Sequence, residues 1–223
     1  MPRFVAVLAG QEDTVKTNLA PFFNSANARI HMRNGEWVLE CAAFAECNTA
    51  DEAFKAADAV LETIHQILAL YIGIHSPLSI IAIVTADDYD RTIGRRIRTR
   101  KDIEIYSSSK ELSVQVKNVP LGNVILEASV RDESLAEALK LVGSRPLSWP
   151  KIYDLIEYLG GENGIVAARL ATREKTRRVR QTANHYRHLG ASKRSPLPPD
   201  PPTLGECTAF ISEVLKKWIA TKC

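Results

Sequence analysis

Apolar positions along the first 142 residues follow two rhythms, one short and strand-like, the other stepping by three and four. Arg3 to Leu8 is an apolar, β-prone run, and Ser79 to Thr85 (SIIAIVT) is a second, of the kind that forms a buried strand. Asn34-Gly35 lies between the strand-like stretches Arg29–Arg33 and Trp37–Phe44, and Asn-Gly suits the positive φ angles of a tight hairpin turn. Thr49 stands as a helix N-cap, with Asp51 and Glu52 at the positive helix end. Beyond it Phe54, Ala57, Val60/Leu61, Ile64, Ile67/Leu68 and Tyr71 predict one long helix that stops near Gly73. Arg95–Tyr106, Ser113–Val116 and Asn123–Val130 are further strand candidates. Asp132 then caps a short helix carrying Leu135, Ala138, Leu139 and Leu141.

Strand signals end between Gly143 and Pro150. Four helical stretches follow: Trp149–Leu159, Gly164–Ala171, Arg173–Leu189 and Thr203–Thr221. Gly160-Gly161 closes the first, and a stiff proline-rich connector, Ser195–Pro202, joins the last two. The pattern predicts an α+β chain. Residues 1–142 form an N-terminal sheet with one long covering helix, and residues 143–223 an all-α helical bundle.

Composition changes this picture little. The chain is 45% hydrophobic and 25% charged, ordinary values for a globular protein. No run of 18 apolar residues occurs, and the N-terminus lacks a signal-peptide core, so the sequence predicts a cytoplasmic protein with no membrane partner. Cys41, Cys47, Cys207 and Cys223 form no C-x-x-C pair and have no histidine at zinc-ligand spacing, so they read as small buried residues and no metal site is expected. Nucleotide-binding glycine loops, the nucleophile elbow and H-E-x-x-H are all missing, and no cofactor is expected. Asp87, Asp88 and Asp90 read as a solvated turn, paired with Arg91 to Lys101 just beyond. His31, His65 and His75 are dispersed, and the default for each is a hydrogen-bonded structural histidine.

Charge does change it. From Arg145 to Cys223 there are 14 Lys+Arg against 7 Asp+Glu, whereas residues 1–144 carry 15 against 19. A near-neutral total hides an acidic front and a basic back. Between Arg169 and Arg194 nine basic residues face one acid, Glu174. On a helical wheel Val179, Ala183 and Tyr186, with Thr182, form a packing side. Arg173, Arg177, Arg180, Asn184, Arg187 and His188 form a stripe about 100° wide. His185 lies beside it near Arg178, and Lys193 and Arg194 prolong the basic run. Grouped guanidinium groups repel one another, so such a cluster points either to an anionic ligand such as phosphate or to a solvated helix face whose arginines pair with carboxylates of the acidic N-terminal part.

Several segments of this region share a further likeness. They are Trp149-Pro-Lys-Ile-Tyr-Asp-Leu-Ile-Glu157 with Gly160-Gly161, then Thr182-Ala-Asn-His-Tyr-Arg-His-Leu-Gly190. The last is Pro198-Pro-Asp-Pro-Pro-Thr-Leu-Gly-Glu206 leading to Phe210-Ile and Trp218-Ile. The C-terminal third resembles a helical module of uncharacterised bacterial proteins that is similar to the HEPN (higher eukaryote and prokaryote nucleotide-binding) domains. Many of those dimerise and cleave RNA without metal. The family's arginine-to-histidine spacing is met by Arg178 and by Arg180, each with His185. The resemblance implies an RNA-directed protein, in its fullest form a metal-independent endoribonuclease acting on single-stranded RNA. Arg178 or Arg180 would then hold phosphate, His185 or His188 would move the proton to or from the RNA 2′-OH, and Asn184 would orient one of them. Arg173, Arg177, Arg187, Lys193 and Arg194 would bind the nucleic-acid backbone. It also implies a homodimer through the C-terminal domain, for which Ile152/Leu155/Ile156 and Phe210/Ile211/Val214/Leu215/Trp218 offer apolar faces, though the same faces would equally fill a monomer's core. Gln181 and Val179 follow the two arginines, where the family favours Asn, Asp or His. That departure supports the alternative: a non-catalytic dimerisation or interaction protein whose basic helix docks on an acidic partner.

Overall fold

The structure, a computed structural model, describes residues 4–10, 19–73, 78–86, 89, 121–143, 147–188 and 196–223. It divides into two compact units, Met1–Arg131 and Asp132–Cys223. All described strands lie in the first, and the second is helical.

The first unit is built on a four-stranded antiparallel sheet in the order β2-β3-β1-β4. Strand β1 (Phe4–Gly10) lies between two neighbours, and both its faces are covered, which explains why it reads as a continuous apolar run. Val5 and Val7 pack on one face with Val38 and Tyr89, and the period of two puts Phe4, Ala6 and Leu8 on the other. Strands β2 (Ala28–Arg33) and β3 (Glu36–Cys41) form the expected hairpin, Arg33 facing Glu36 across the turn. Asn34 (φ 50°) and Gly35 (φ 84°) are both left-handed, the conformation a two-residue hairpin turn needs. Strand β4 (Leu78–Thr85) pairs with β1 through an irregularity between Val7 and Leu8.

Helix α1 (Ala50–Ile72) begins in a capping box, Thr49 with Glu52, and ends at Gly73 in the left-handed region. It packs on β1 and β4. Its buried line runs Ala53, Ala57, Leu61, Ile64 and Leu68, while Phe54, expected on the apolar stripe, is 45% exposed.

The segment Asn123–Val130 is not a strand. Residues Leu121–Arg131 form helix α2. The β-branched Val124, Ile125 and Val130 suggested a strand, but the buried positions Gly122, Ile125/Leu126 and Ser129 recur at helical spacing, and Val130 is 83% exposed. Helix α2 is locked by Asn123. Its Oδ1 accepts from the Asn24 amide at 2.7 Å and its Nδ2 donates to the Ala28 carbonyl at 2.7 Å. A Cβ at Gly122 would lie 2.6 Å from the Phe23 ring and 2.7 Å from the Phe22 carbonyl, so the helix lies directly on that loop. The strand candidates Arg95–Tyr106 and Ser113–Val116, His75 and the Asp87, Asp88, Asp90 group lie outside the described residues.

The second unit starts earlier than the 142/143 boundary that strand signals suggested. Asp132 caps α3 (Glu133–Gly143) through the Leu135 amide at 3.2 Å and pairs with Lys222 at 2.7 Å. Tyr158 donates to the Ser134 carbonyl at 2.9 Å, so α3 belongs with the helices after it. Those are α4 (Trp149–Tyr158), α5 (Gly161–Ala167), α6 (Arg173–Arg187) and α7 (Leu204–Ala220). Ile152, Leu155 and Ile156 of α4 and Phe210, Ile211, Val214 and Leu215 of α7 are buried within the chain itself. The faces offered for a dimer therefore fill a monomer's core. Among the described residues no helix is long and apolar enough to cross a membrane.

Two measurements test the first unit. Asn123→Leu leaves the Asn24 amide without its partner and the Ala28 carbonyl with the Ser25 amide alone, at 3.2 Å, and should cost about 1–3 kcal/mol in urea unfolding. A cost below about 1 kcal/mol would show that the clamp is dispensable. The second concerns His65 on α1. Burial drives its pKa down from 6.5 to about 4, partly opposed by the Leu78 backbone and Asp58, and its Nε2 has no hydrogen-bond partner. Above pH 6.5 the ring is neutral in both folded and unfolded chain. As pH falls from there towards about 4, the unfolded chain takes a proton the folded one refuses, and stability drops by an amount approaching about 3 kcal/mol. His65→Gln should flatten that part of the pH–stability curve, and an unchanged slope would refute the assignment.

Candidate functional site

Helix α6 carries the basic stripe, and its position follows from a few side chains. Thr172 caps it, accepting from the Lys175 amide at 3.4 Å. Val179 and Ala183 enter the core, and so do Thr176 and Thr182. Each threonine hydroxyl donates to the carbonyl four residues back, at 2.9 Å, so neither is buried unsatisfied. Tyr186 closes the packing side by stacking on Trp149 of α4, ring centroids 4.8 Å apart.

The arginines beside this core have partners. Arg180 donates to Glu157 at 2.6 Å and to the Tyr153 hydroxyl at 3.2 Å, and Glu157 raises its pKa further above the usual guanidinium value. Arg178 meets Asp200 of the proline-rich connector at 2.8 Å, and Arg173 meets Glu162 of α5 at 3.4 Å. Arg187 lies over the Tyr153 ring, 3.6 Å from its centroid, and its Nε donates to Nε2 of His188 at 3.0 Å. His185 meets the Tyr186 ring edge-on at 4.9 Å. Asn184 is half-buried, and Arg177 and His188 are exposed. Lys193 and Arg194 lie outside the described residues.

The structure therefore separates the sequence-selected residues by partner. Arg178 turns to the connector, Arg180 to α4, His185 to Tyr186, and Arg187 with His188 to each other and Tyr153. Sequence reasoning missed Trp149, Tyr153 and Glu157. Their four-residue spacing puts them on one line of α4, and that line faces α6. Lys175, Arg177 and Arg187 have no carboxylate within ion-pair distance among the described residues.

Two hollows accompany these features. A cleft of about 320 Å³ between α6 and α7 has Lys175 and Arg178 on one side, Glu206 and Glu213 on the other, and Phe210 as floor. An open depression of about 490 Å³ in the first unit is bordered by Asn24, Arg29 and Glu40. No group of three or more His, Cys, Asp or Glu side chains is placed to hold a metal ion among the described residues. Burial pushes the thiols of Cys41 and Cys207 up to about 11, which makes both poor nucleophiles. Compared with protein-family models, with curated proteins and with solved structures, the chain matches none.

The Arg180–Glu157 pair is 38% and 42% exposed on its two sides, so water and salt screen it. A double-mutant cycle with Arg180→Ala and Glu157→Ala should give a coupling of about 0.5–1 kcal/mol that shrinks as salt is added. Coupling that is larger and insensitive to salt would mean the pair is drier than its exposure indicates.

Proposed function

We propose that the C-terminal unit is a non-catalytic interaction module whose basic helix α6 docks on an acidic partner. The observation that carries this is the pairing of Arg178 with Asp200 and of Arg180 with Glu157. Both guanidinium groups tie α6 to its own neighbours. An arginine that stabilises the developing charge of a phosphoryl transfer must be aimed at the reacting oxygen beforehand, and these two are aimed at carboxylates. Among the described residues of α6, Lys175, Arg177 and Arg187 have no carboxylate at ion-pair distance.

RNA cleavage of HEPN type is the second reading. What favours it is the association of π faces with cations on α4 and α6: Arg187 over Tyr153, with Trp149 on Tyr186 alongside. Aromatic faces and guanidinium planes are the surfaces on which single-stranded bases stack. The RNA 2′-OH would be the nucleophile, with His185 or His188 as the proton acceptor.

One set of assays separates the two. On the first reading the protein is retained on heparin and on poly(U) RNA at low salt. Affinity for the RNA falls by about 0.7 log units per log unit of salt for each phosphate contact. Arg177→Ala with Arg187→Ala weakens retention on both, and the RNA stays intact. Cleavage that persists in excess chelator and disappears with His185→Ala or His188→Ala would instead establish the ribonuclease reading. Failure of the wild type to bind either polyanion would remove α6 as a docking surface.

A further inference from the structure

We infer that the acidic partner of α6 is B-form duplex DNA, entered through its major groove; this rests on the docking reading above. The first support is the arrangement that holds α6. Helices α4, α5 and α6 close around one core made of Ile152, Leu155, Ile156, Ile165, Val179 and Ala183, all buried. Helices α5 and α6 are joined by only five residues, 168–172. In that turn Arg169 adopts the left-handed conformation (φ 56°), and the Leu170 amide bonds the Ile165 carbonyl at 3.0 Å, which closes the end of α5. Leu170 turns inward to plug the core, and Thr172 at once caps the next helix. A Cβ at Gly164 would sit 2.5 Å from the Leu159 carbonyl, so α5 is seated directly on the end of α4. A short helix, a five-residue connection with a left-handed residue and a second helix follow the order of a helix–turn–helix, in which the second helix is the one that reads the groove.

The second support is the order of side chains around α6. At 100° per residue the exposed Glu174 and Arg177 and the half-buried Gln181 fall within about 60° of one another, opposite the buried Thr176, Val179, Thr182 and Ala183. Arg173 and Arg180 flank this outward line on one side and Arg178 on the other. The centre thus carries groups that can match base edges, Arg for guanine, Gln for adenine and Glu for cytosine. The flanks carry cations within reach of the phosphates on either side of a groove. The flanking ion pairs to Glu162 and Asp200 are exposed, and phosphate can replace those carboxylates at little cost. The helix has 15 residues, about 22 Å of length. The major groove of B-form DNA admits a helix of this diameter, while that of A-form RNA is too deep and narrow.

The test measures binding of the full chain to random-sequence DNA duplex, to RNA duplex of the same sequence and to poly(U), at one low salt concentration. The DNA duplex should bind at least about tenfold more tightly than either RNA, since only it offers an accessible major groove. Selection from a random duplex pool should enrich a motif, and Arg177→Ala and Gln181→Ala should each relax one position of it by about tenfold or more. Arg177 is exposed and Gln181 half-buried, so circular dichroism should be unchanged for both and thermal melting unchanged for Arg177→Ala. Equal affinity for duplex DNA and duplex RNA, a preference for poly(U), or a motif indifferent to both substitutions would overturn the inference. Binding to heparin but to no nucleic acid would overturn it while leaving the docking reading in place. Loss of binding to every polyanion would overturn both.

Discussion

Crowding of like charge on one helix is the constraint around which the second unit is organised. Helix α6 bears Arg173, Lys175, Arg177, Arg178, Arg180 and Arg187 against the single acid Glu174. Alone in water such a helix is poorly stable, since cations at four-residue spacing repel. The bundle relieves this by surrounding the helix with acids and rings from its neighbours. Glu157 and Tyr153 come from α4, Glu162 from α5 and Asp200 from the connector. Each exposed pair is weak alone, yet together they cancel much of the self-repulsion on the flanks of α6. Apolar burial supplies the stability, and the pairs leave Lys175, Arg177 and Arg187 without a carboxylate at ion-pair distance among the described residues.

The first unit meets a different requirement, the satisfaction of polar backbone in a buried place. Strand β1 is covered on both faces, so its peptide groups must be bonded on both edges, and β3 and β4 do that. Where the chain enters β2, the side chain of Asn123 accepts from the Asn24 amide and adds a second donor to the Ala28 carbonyl, which also takes the Ser25 amide at 3.2 Å. One buried asparagine thereby joins α2 to the hairpin more specifically than apolar contact would.

Much of this was legible in the sequence wherever a feature is local. Asn34-Gly35 encodes its turn, because few other pairs tolerate two positive φ angles. Thr49 and Gly73 encode the ends of α1. Asn123–Val130 failed as a strand because its β-branched residues carry a propensity that tertiary packing overrides. The decisive sign was Asn123 itself, a polar residue whose burial depends on partners about a hundred positions away. The start of the second unit was missed for a similar reason: α3 has no charge or strand signal of its own, and Asp132 meets Lys222 only after folding. At the candidate site the basic stripe was visible, since periodicity within one helix is local. Its neutralisers were not, because Glu157, Glu162 and Asp200 sit on other elements.

That distinction bears on what α6 is for. A wheel drawn from sequence treats every arginine of the stripe alike, and a phosphate site suggests itself wherever an arginine and a histidine stand at the right interval. The fold sorts those arginines into two groups. Arg173, Arg178 and Arg180 face carboxylates and hold the helix in place, whereas Arg177 projects outward with no carboxylate partner among the described residues. A catalytic arginine needs enclosure and fixed aim at one reacting atom. A docking arginine needs exposure, length and a rigid helix beneath it. The turn at Arg169, the plug of Leu170 and the cap of Thr172 provide that rigidity at the very end of α6 where the outward cations begin. On the docking reading proposed above, rigid support beneath the exposed Glu174 and Arg177 and the half-buried Gln181 serves recognition of an extended anionic surface.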